Sequence, residues 1–382
     1  RDMKEEGFRI SLWQFPGLNV GNKLLPEARA KRYISTPKTS KQLDSAFTEQ
    51  EYGGPIDFSN PEAVKWYQDL LERLLRLGAS VIKTDFGEEI DMNAEYVGMP
   101  ARRLRNLYAL LYQKAAFEIT EKIHREGIIW ARASWLGCQR YPLHWGGDSA
   151  CTWDGLAGDI RGGLHFGLSG FGFWSHDIAG FHGLPDFMNS RPANDLYVRW
   201  TQMGTFTSHM RFHGTTPREP YEYPEVSDIV RRWLKLRYAL IPYIVEQAEK
   251  VTKTGLPMFR ALVFHHEKDP VCWNVDSQYY FGDDLLIAPI LNSEGVRDVY
   301  LPAGVWRDFW TGKQLKGPVL LRDVEMPLDR IPVYAVEGAQ IPVYPLEVSH
   351  TGEMDMKQMR RIKTDATYVG LGRSILGKVV GL

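Results

Sequence analysis

The sequence predicts an α/β fold: a (β/α)8 barrel of the TIM type followed by an all-β sandwich. Three observations predict it. From residue 8 to about residue 260, short apolar strands ending in polar or Gly-rich loops alternate with longer amphipathic helices, the rhythm of a parallel sheet joined by crossover helices. Acidic residues stand at the C-terminal ends of several of these strands, on the face where barrels keep their chemistry. After Lys250 the texture changes to short strands separated by turn signals. The expected division is a catalytic barrel over 1–254, a β-sandwich over 255–345, and a partial β segment or tail over 346–382.

Each element has a local reason. Residues 8–15 (FRISLWQF) form the first strand, 61–77 a helix begun by Asn60 and stopped by Gly78, and 80–85 (SVIKTD) the next strand. A helix covers about 101–126, where Leu104, Leu107, Tyr108, Leu111 and Ala115 recur at helical spacing, and Gly127 then releases the chain into 128–133 (IIWARA). Residues 144–148 (HWGGD) form a strand end, 153–166 a Gly-interrupted helix, and 170–178 and 205–211 two further strands, before one long helix over 228–250. The β module runs from about Gly255 to Tyr344 through PMFRALVF, QYYFGDDLLIAPIL, RDVYLPAGVWRDFW and PVYAVEGAQIPVY.

Composition narrows the function. The 382 residues exceed what one ordinary core serves, and a hydrophobic share of 44% with 24% charged residues suits a globular enzyme. Lys plus Arg is 46 against 47 for Asp plus Glu, so the summed field offers no general attraction to nucleic acid or anionic lipid, and a neutral ligand suits it. Neither nucleic acid nor membrane is expected as a partner, and self-association into a homo-oligomer is left open. Cys138, Cys151 and Cys272 show no CxxC spacing and are expected as small buried thiols. No apolar run approaches the ~20 residues of a membrane helix, and no charged-then-apolar leader opens the chain, so a cytoplasmic location is expected. The opening RDMKEEGF has the character of a helix already under way, which points to residues upstream. The 12 Trp, 18 Tyr and 17 Phe, many beside Gly, Asp or His, fit stacking on sugar faces as well as ordinary core use.

Three acids occupy strand ends: Asp85 in VIKTDFGEE, Asp148 in HWGGDSACTW and Asp177 in FWSHDIAG. Each alone is also compatible with a cap or a turn. Lys83 lies two residues before Asp85, on the same strand face, and favours an ionised carboxylate suited to nucleophilic attack, while Phe86 supplies a wall. Asp148 follows Trp145, Gly146 and Gly147. A Trp neighbour is expected to desolvate the acid and favour proton donation, and the glycines to bring backbone close to a ligand. These surroundings alone leave the assignment of nucleophile and acid open. His176 beside Asp177 suggests a metal pair, but no HxH or HExxH accompanies it, so no metal and no cofactor are expected.

IKTDFGE, ARAS, HWGGD, GLSGFGFWSHDIAGF and RFHG follow one another in the order and register of glycoside hydrolase family 31, and the likeness runs from about Phe8 to Tyr344. It is nearest to the α-xylosidase branch, because Lys two residues before the nucleophile resembles enzymes acting on α-xylosides, whereas α-glucosidases commonly carry an apolar or aromatic residue there. The resemblance implies a retaining α-glycosidase with a covalent glycosyl–enzyme intermediate, Asp85 matching the nucleophile and Asp148 the acid/base. It also implies that Arg132, Trp174, Asp177 and His213 line the pocket for the sugar being cleaved, with Trp13, Trp145 and Phe86 shaping its walls and Lys83 setting specificity. An α-xyloside is the implied substrate and an α-glucoside the alternative.

The likeness also departs from its family. Members carry an N-terminal β-sandwich and first barrel strands ahead of the point where this sequence starts, and counting from FRISLWQF gives about six strands. The expectation is therefore a piece of a longer barrel, and a non-catalytic carbohydrate-binding or vestigial protein is the competing class.

Overall fold

The computed structural model of the protein describes residues 2–37 and 52–370. The chain divides into two compact units, Arg1–Trp145 and Gly146–Leu382.

In the first unit three parallel strands, β1 (Ile10–Gln14), β2 (Ala79–Thr84) and β3 (Ile129–Ala131), pair in the order β1-β2-β3. Two helices supply the crossovers. Helix α1 (Pro61–Leu77) starts where the Asn60 side chain accepts from the Glu62 N–H, and ends at Gly78, whose φ of 124° lies in the region that favours glycine. Helix α2 (Ala101–His124) ends at Arg125 in a left-handed conformation, two residues short of the expected end and ahead of Gly127. Both helices bury one stripe: Ala63, Tyr67, Leu71 and Leu75 from α1 meet Leu104, Tyr108, Tyr112 and Ala115 from α2 in a core that also takes in Ile82 and Ile129 of the sheet. The opening residues Asp2–Glu5 are helical, in keeping with the reading of RDMKEEGF.

In the second unit helix α3 (Trp153–Leu168) is capped by the Thr152 side chain, which accepts from the Gly155 N–H. The 170–178 stretch pairs only at β4 (Asp177–Ile178). The strand expected at 205–211 is corrected: α4 (Asn194–Thr205) occupies its start, and pairing begins only at β5 (Arg211–Phe212), parallel to β4. Every residue of α4 from Leu196 to Thr205 is buried, so apolar character alone does not separate helix from strand here. The long helix over 228–250 is two, α5 (Ser227–Ala239) and α6 (Ile241–Thr254). Pro242 cannot donate to a preceding carbonyl, so it suits the first turn of a new helix and not the interior of an old one.

The β module forms a six-stranded antiparallel sheet. Its strands are β6 (Phe259–Arg260), β7 (Tyr279–Phe281), β8 (Leu285–Ile287), β9 (Val296–Asp308), β10 (Gln314–Glu325) and β11 (Val333–Val336), in the order β6-β7-β8-β11-β9-β10. Helices α3 to α6 share a core with this sheet, where the Phe206 ring meets Phe281 and Phe309 edge-on. The terminal segment contributes β13 (Arg360–Lys363), antiparallel to β12 (Gln340–Val343), so a strand pair forms. Residues 371–382 of the Gly-punctuated TYVGLGRSILGKVVGL lie outside the described residues. Cys138 and Cys272 are buried as expected, whereas Cys151 is half-buried; all three are free thiols.

Candidate active site

In the first unit, register decides what meets what. Trp13 pairs with Lys83 across β1 and β2, and Thr84 pairs with Ala131 across β2 and β3, so Asp85 and Arg132 leave neighbouring strands at the same level. The ladder continues into the exits: the Asp85 N–H donates to Gln14 O at 3.0 Å and the Arg132 N–H to Thr84 O at 3.2 Å. The C-terminal ends of a parallel sheet therefore deliver Trp13, Lys83, Asp85, Phe86 and Arg132 to one place.

Donors surround the Asp85 carboxylate. Trp13 Nε1 donates to Oδ2 at 2.7 Å, the Phe86 N–H donates to Oδ1 at 2.9 Å, Arg132 Nη1 stands 3.0 Å from Oδ1, and Lys83 Nζ 3.6 Å from Oδ2. Asp85 is only 7% exposed, whereas Trp13 is 52% exposed, so one face of this indole is open beside a buried acid. Phe86 adopts φ 58°, a costly conformation for an aromatic residue, and the next residue, Gly87, has φ 96°. A β-carbon at Gly87 would stand 3.1 Å from the Tyr112 ring. This tight turn seats Phe86 edge-on to Phe15 and under the Arg132 guanidinium, 4.1 Å from the ring centre.

Two predicted residues have partners that sequence reasoning missed. Arg132 makes a forked contact to Glu88, with Nε to Oε1 at 2.6 Å and Nη2 to Oε2 at 3.2 Å, so it is at once a ligand-side donor and part of an ion pair. The first Glu after the Asp85 strand end, in DFGEE, was the available signal. Lys83 Nζ lies 4.4 Å from the Trp145 ring centre, so the buried Trp145 holds the ammonium. Behind the strand ends, Tyr112 donates to Gln14 O at 3.0 Å. Burial pushes the Tyr112 hydroxyl well above its ordinary pKa, with the Asp85 charge adding to the effect, so it remains a donor. His144 pairs with Gln113 at 3.2 Å, and burial pushes its pKa down to about 3.

In the second unit Asp148 is exposed. The burial expected for it from sequence is not seen. Gly147 is needed for its φ of 79°. At Gly146 a β-carbon would stand 2.8 Å from the Trp174 ring, so the missing side chain makes room for that indole. Trp174 is 6% exposed and packs its indole against Gly146 and Gly163. Asp177 is fully buried and paired with the Arg211 guanidinium opposite it on β5. His213, just past β5, donates its N–H to Ile178 O at 3.2 Å and lies against Phe181. The structure thus groups Asp177, Arg211 and His213 at one pair of strand ends, Arg211 being the member not singled out from sequence. His176 is bonded within the core: its Nδ1 accepts from Trp200 Nε1 at 2.9 Å, and burial pushes its pKa down to about 3. Among the described residues, no group of three His, Cys, Asp or Glu side chains could hold a metal, and no helix is long and apolar enough to cross a membrane.

Known proteins resemble this chain. The chain is 36% identical over 310 residues to an α-xylosidase of Emericella nidulans, covering 78% of this chain and 38% of that protein. It is 35% identical to the α-xylosidase XylQ of Lactiplantibacillus pentosus over 83% of this chain and 42% of that one. It is 29% identical to α-glucosidase 2 of Bacillus thermoamyloliquefaciens over 75% and 38%. Among solved structures, the glucose-bound GH31 dextranase of Flavobacterium johnsoniae superposes with a TM-score of 0.82 at 30% identity, over 90% of this chain and 45% of that one. The chain therefore spans about two fifths of the length of the α-xylosidases it matches. Residues 1–247 match the glycosyl hydrolases family 31 TIM-barrel domain and residues 255–341 the family's C-terminal domain; the chain belongs to glycoside hydrolase family 31.

Proposed function

We propose that the protein of which this chain is part is a retaining α-glycoside hydrolase that releases terminal α-linked xylose. Asp85 attacks the anomeric carbon as the bond to the leaving oxygen breaks, and Asp148 gives its proton to that oxygen. In the second half, Asp148 takes a proton from water, the resulting hydroxide attacks the anomeric carbon, and Asp85 leaves with its carboxylate restored. The two inversions give net retention.

The observation that carries this reading is the setting of Asp85: a buried carboxylate at the end of a parallel strand, fixed by Trp13, Arg132 and the Phe86 N–H. These contacts hold the attacking oxygen in place without a covalent change. Lys83, anchored on Trp145, supports xylose over glucose, since a cation resting there on a ring narrows the space a C6 hydroxymethyl group would need. In the second unit, Asp177, Trp174 and His213 are the sugar-binding residues of this proposal.

The test uses 5-fluoro-α-xylosyl fluoride, which accumulates the covalent intermediate, followed by peptide mass spectrometry. The label is expected on the peptide containing Asp85, and Asp85→Asn is expected to abolish both labelling and turnover of aryl α-xylosides. Label on another carboxylate would refute the role of Asp85. Faster turnover of aryl α-glucosides would move the specificity to glucose, and binding without release, unaffected by Asp85→Asn, would identify a carbohydrate-binding protein.

A further inference from the structure

We propose that Asp159, a buried acid of α3, positions the proton-donating loop that carries Asp148. The inference rests on the acid/base role proposed for Asp148 and names a residue that role depends on.

The loop is tied down by its backbone on either side of Asp148. The Gly146 N–H donates to Ser175 O at 3.0 Å, Ser149 O accepts from the N–H of Phe181 at 2.7 Å, and the Cys151 N–H donates to His182 O at 2.9 Å. Two side-chain bonds from the loop reach buried groups: Ser149 Oγ donates to Asp159 Oδ2 at 3.2 Å, and Cys151 Sγ accepts from Arg218 Nη2 at 3.1 Å. The other carboxyl oxygen, Oδ1, lies 3.3 Å from where a Gly146 β-carbon would stand, so the carboxyl spans the underside of residues 146–149. Asp159 itself is 6% exposed on the inner face of α3, next to Leu156 and Ile160 of the core.

A carboxyl in such a place is costly unless it is neutral or well bonded. Burial, with the Asp177 charge second, pushes Asp159 well above the usual carboxylate range, so a neutral acid supports the loop. A neutral carboxyl also leaves the field at Asp148 without a second fixed negative charge, and it can still accept from Ser149. The contact with Ser149 needs an acceptor at this position of α3, which an apolar core residue would not supply.

The role predicts a dependence that a merely structural residue would not produce. Loss of a proton donor's placement slows the departure of basic leaving groups and spares those that leave unaided. Ser149→Ala and Asp159→Leu are expected to lower kcat/KM about tenfold for phenyl α-xyloside and less than about twofold for α-xylosyl fluoride. Asp159→Asn, neutral and still able to accept from Ser149, is expected to stay within about twofold of the parent on both. An equal loss on both substrates, or no loss on either, overturns the proposal. Asp148→Ala, run in parallel, is expected to show the same leaving-group pattern more strongly and to be rescued by azide; if it does not, the acid/base reading fails, which is a separate outcome. Amide exchange supplies a readout independent of turnover: residues 147–151 are expected to exchange faster in Ser149→Ala and Asp159→Leu than in Asp159→Asn. Unchanged exchange in both variants refutes the tether, and Ser149→Ala carries the test if Asp159→Leu does not fold.

Discussion

The Arg132 guanidinium divides its donors between two carboxylates, Nη1 on Asp85 and Nε with Nη2 on Glu88, while its face lies on Phe86. A lysine would keep the charge and lose the fork and the flat face. Hydrogen bonds to charged groups are worth about 1.5–3 kcal/mol, so Arg132→Lys is expected to lower kcat/KM on aryl glycosides by about 10- to 100-fold, and Glu88→Gln to lower it less. Steady-state kinetics with circular dichroism to confirm folding checks this, and a Lys variant of parental efficiency would reduce Arg132 to a charge. At this scale the sequence disclosed Asp85 with Lys83, because two-residue spacing on a strand puts them on one face. It disclosed neither Glu88 nor Asp159, since a loop carboxylate and a mid-helix acid look like solvated surface until packing shows otherwise. Gly146 shows the same limit: a missing side chain makes room, and sequence did not name Trp174 as the neighbour that uses it.

Elements hold two histidines neutral, and this makes stability depend on pH. Burial pushes His144, behind the strand ends of the first unit, and His176, ahead of β4, from 6.5 down to about 3. The unfolded chain takes up these protons as pH falls through 6.5, while the folded chain refuses them until about 3. Their effect is therefore absent above pH 7, and stability falls progressively between pH 6.5 and 3, by up to about 1.4 kcal/mol per pH unit for each ring. Thermal melts at pH 7 and pH 5 are expected to show the loss, and the double variant His144→Gln/His176→Gln a shallower one; an unchanged slope would place the acid sensitivity elsewhere. Helices α1 and α2 were legible from their periodicity, the Asn60 cap and Gly78, which are local signals. The strand misread at 205–211 was not, because its apolar Phe206 is buried by a helix end and a sheet that are distant in sequence.

Across the whole molecule the net charge is −1, from 46 cations and 47 anions, so no strong field steers a ligand. For a neutral glycoside, kcat/KM is expected to change by less than about twofold between 0.05 and 0.5 M salt, although the Debye length shortens severalfold over that range. A steep fall with salt, measured at fixed pH, would point instead to an anionic substrate. The order of motifs along the chain, the alternation of strands and helices, and the change of texture after Lys250 determined the family and the class of each domain, because they are carried by local spacing and by short runs of residues. The packing of the folded chain decided the rest: that Trp145 holds Lys83, that Arg132 bridges Asp85 and Glu88, that Arg211 answers Asp177, and that Asp159 lies under the loop of Asp148. Each of these joins residues whose meeting depends on strand register, a turn or the burial of a helix face, and such contacts exist only once the chain has folded.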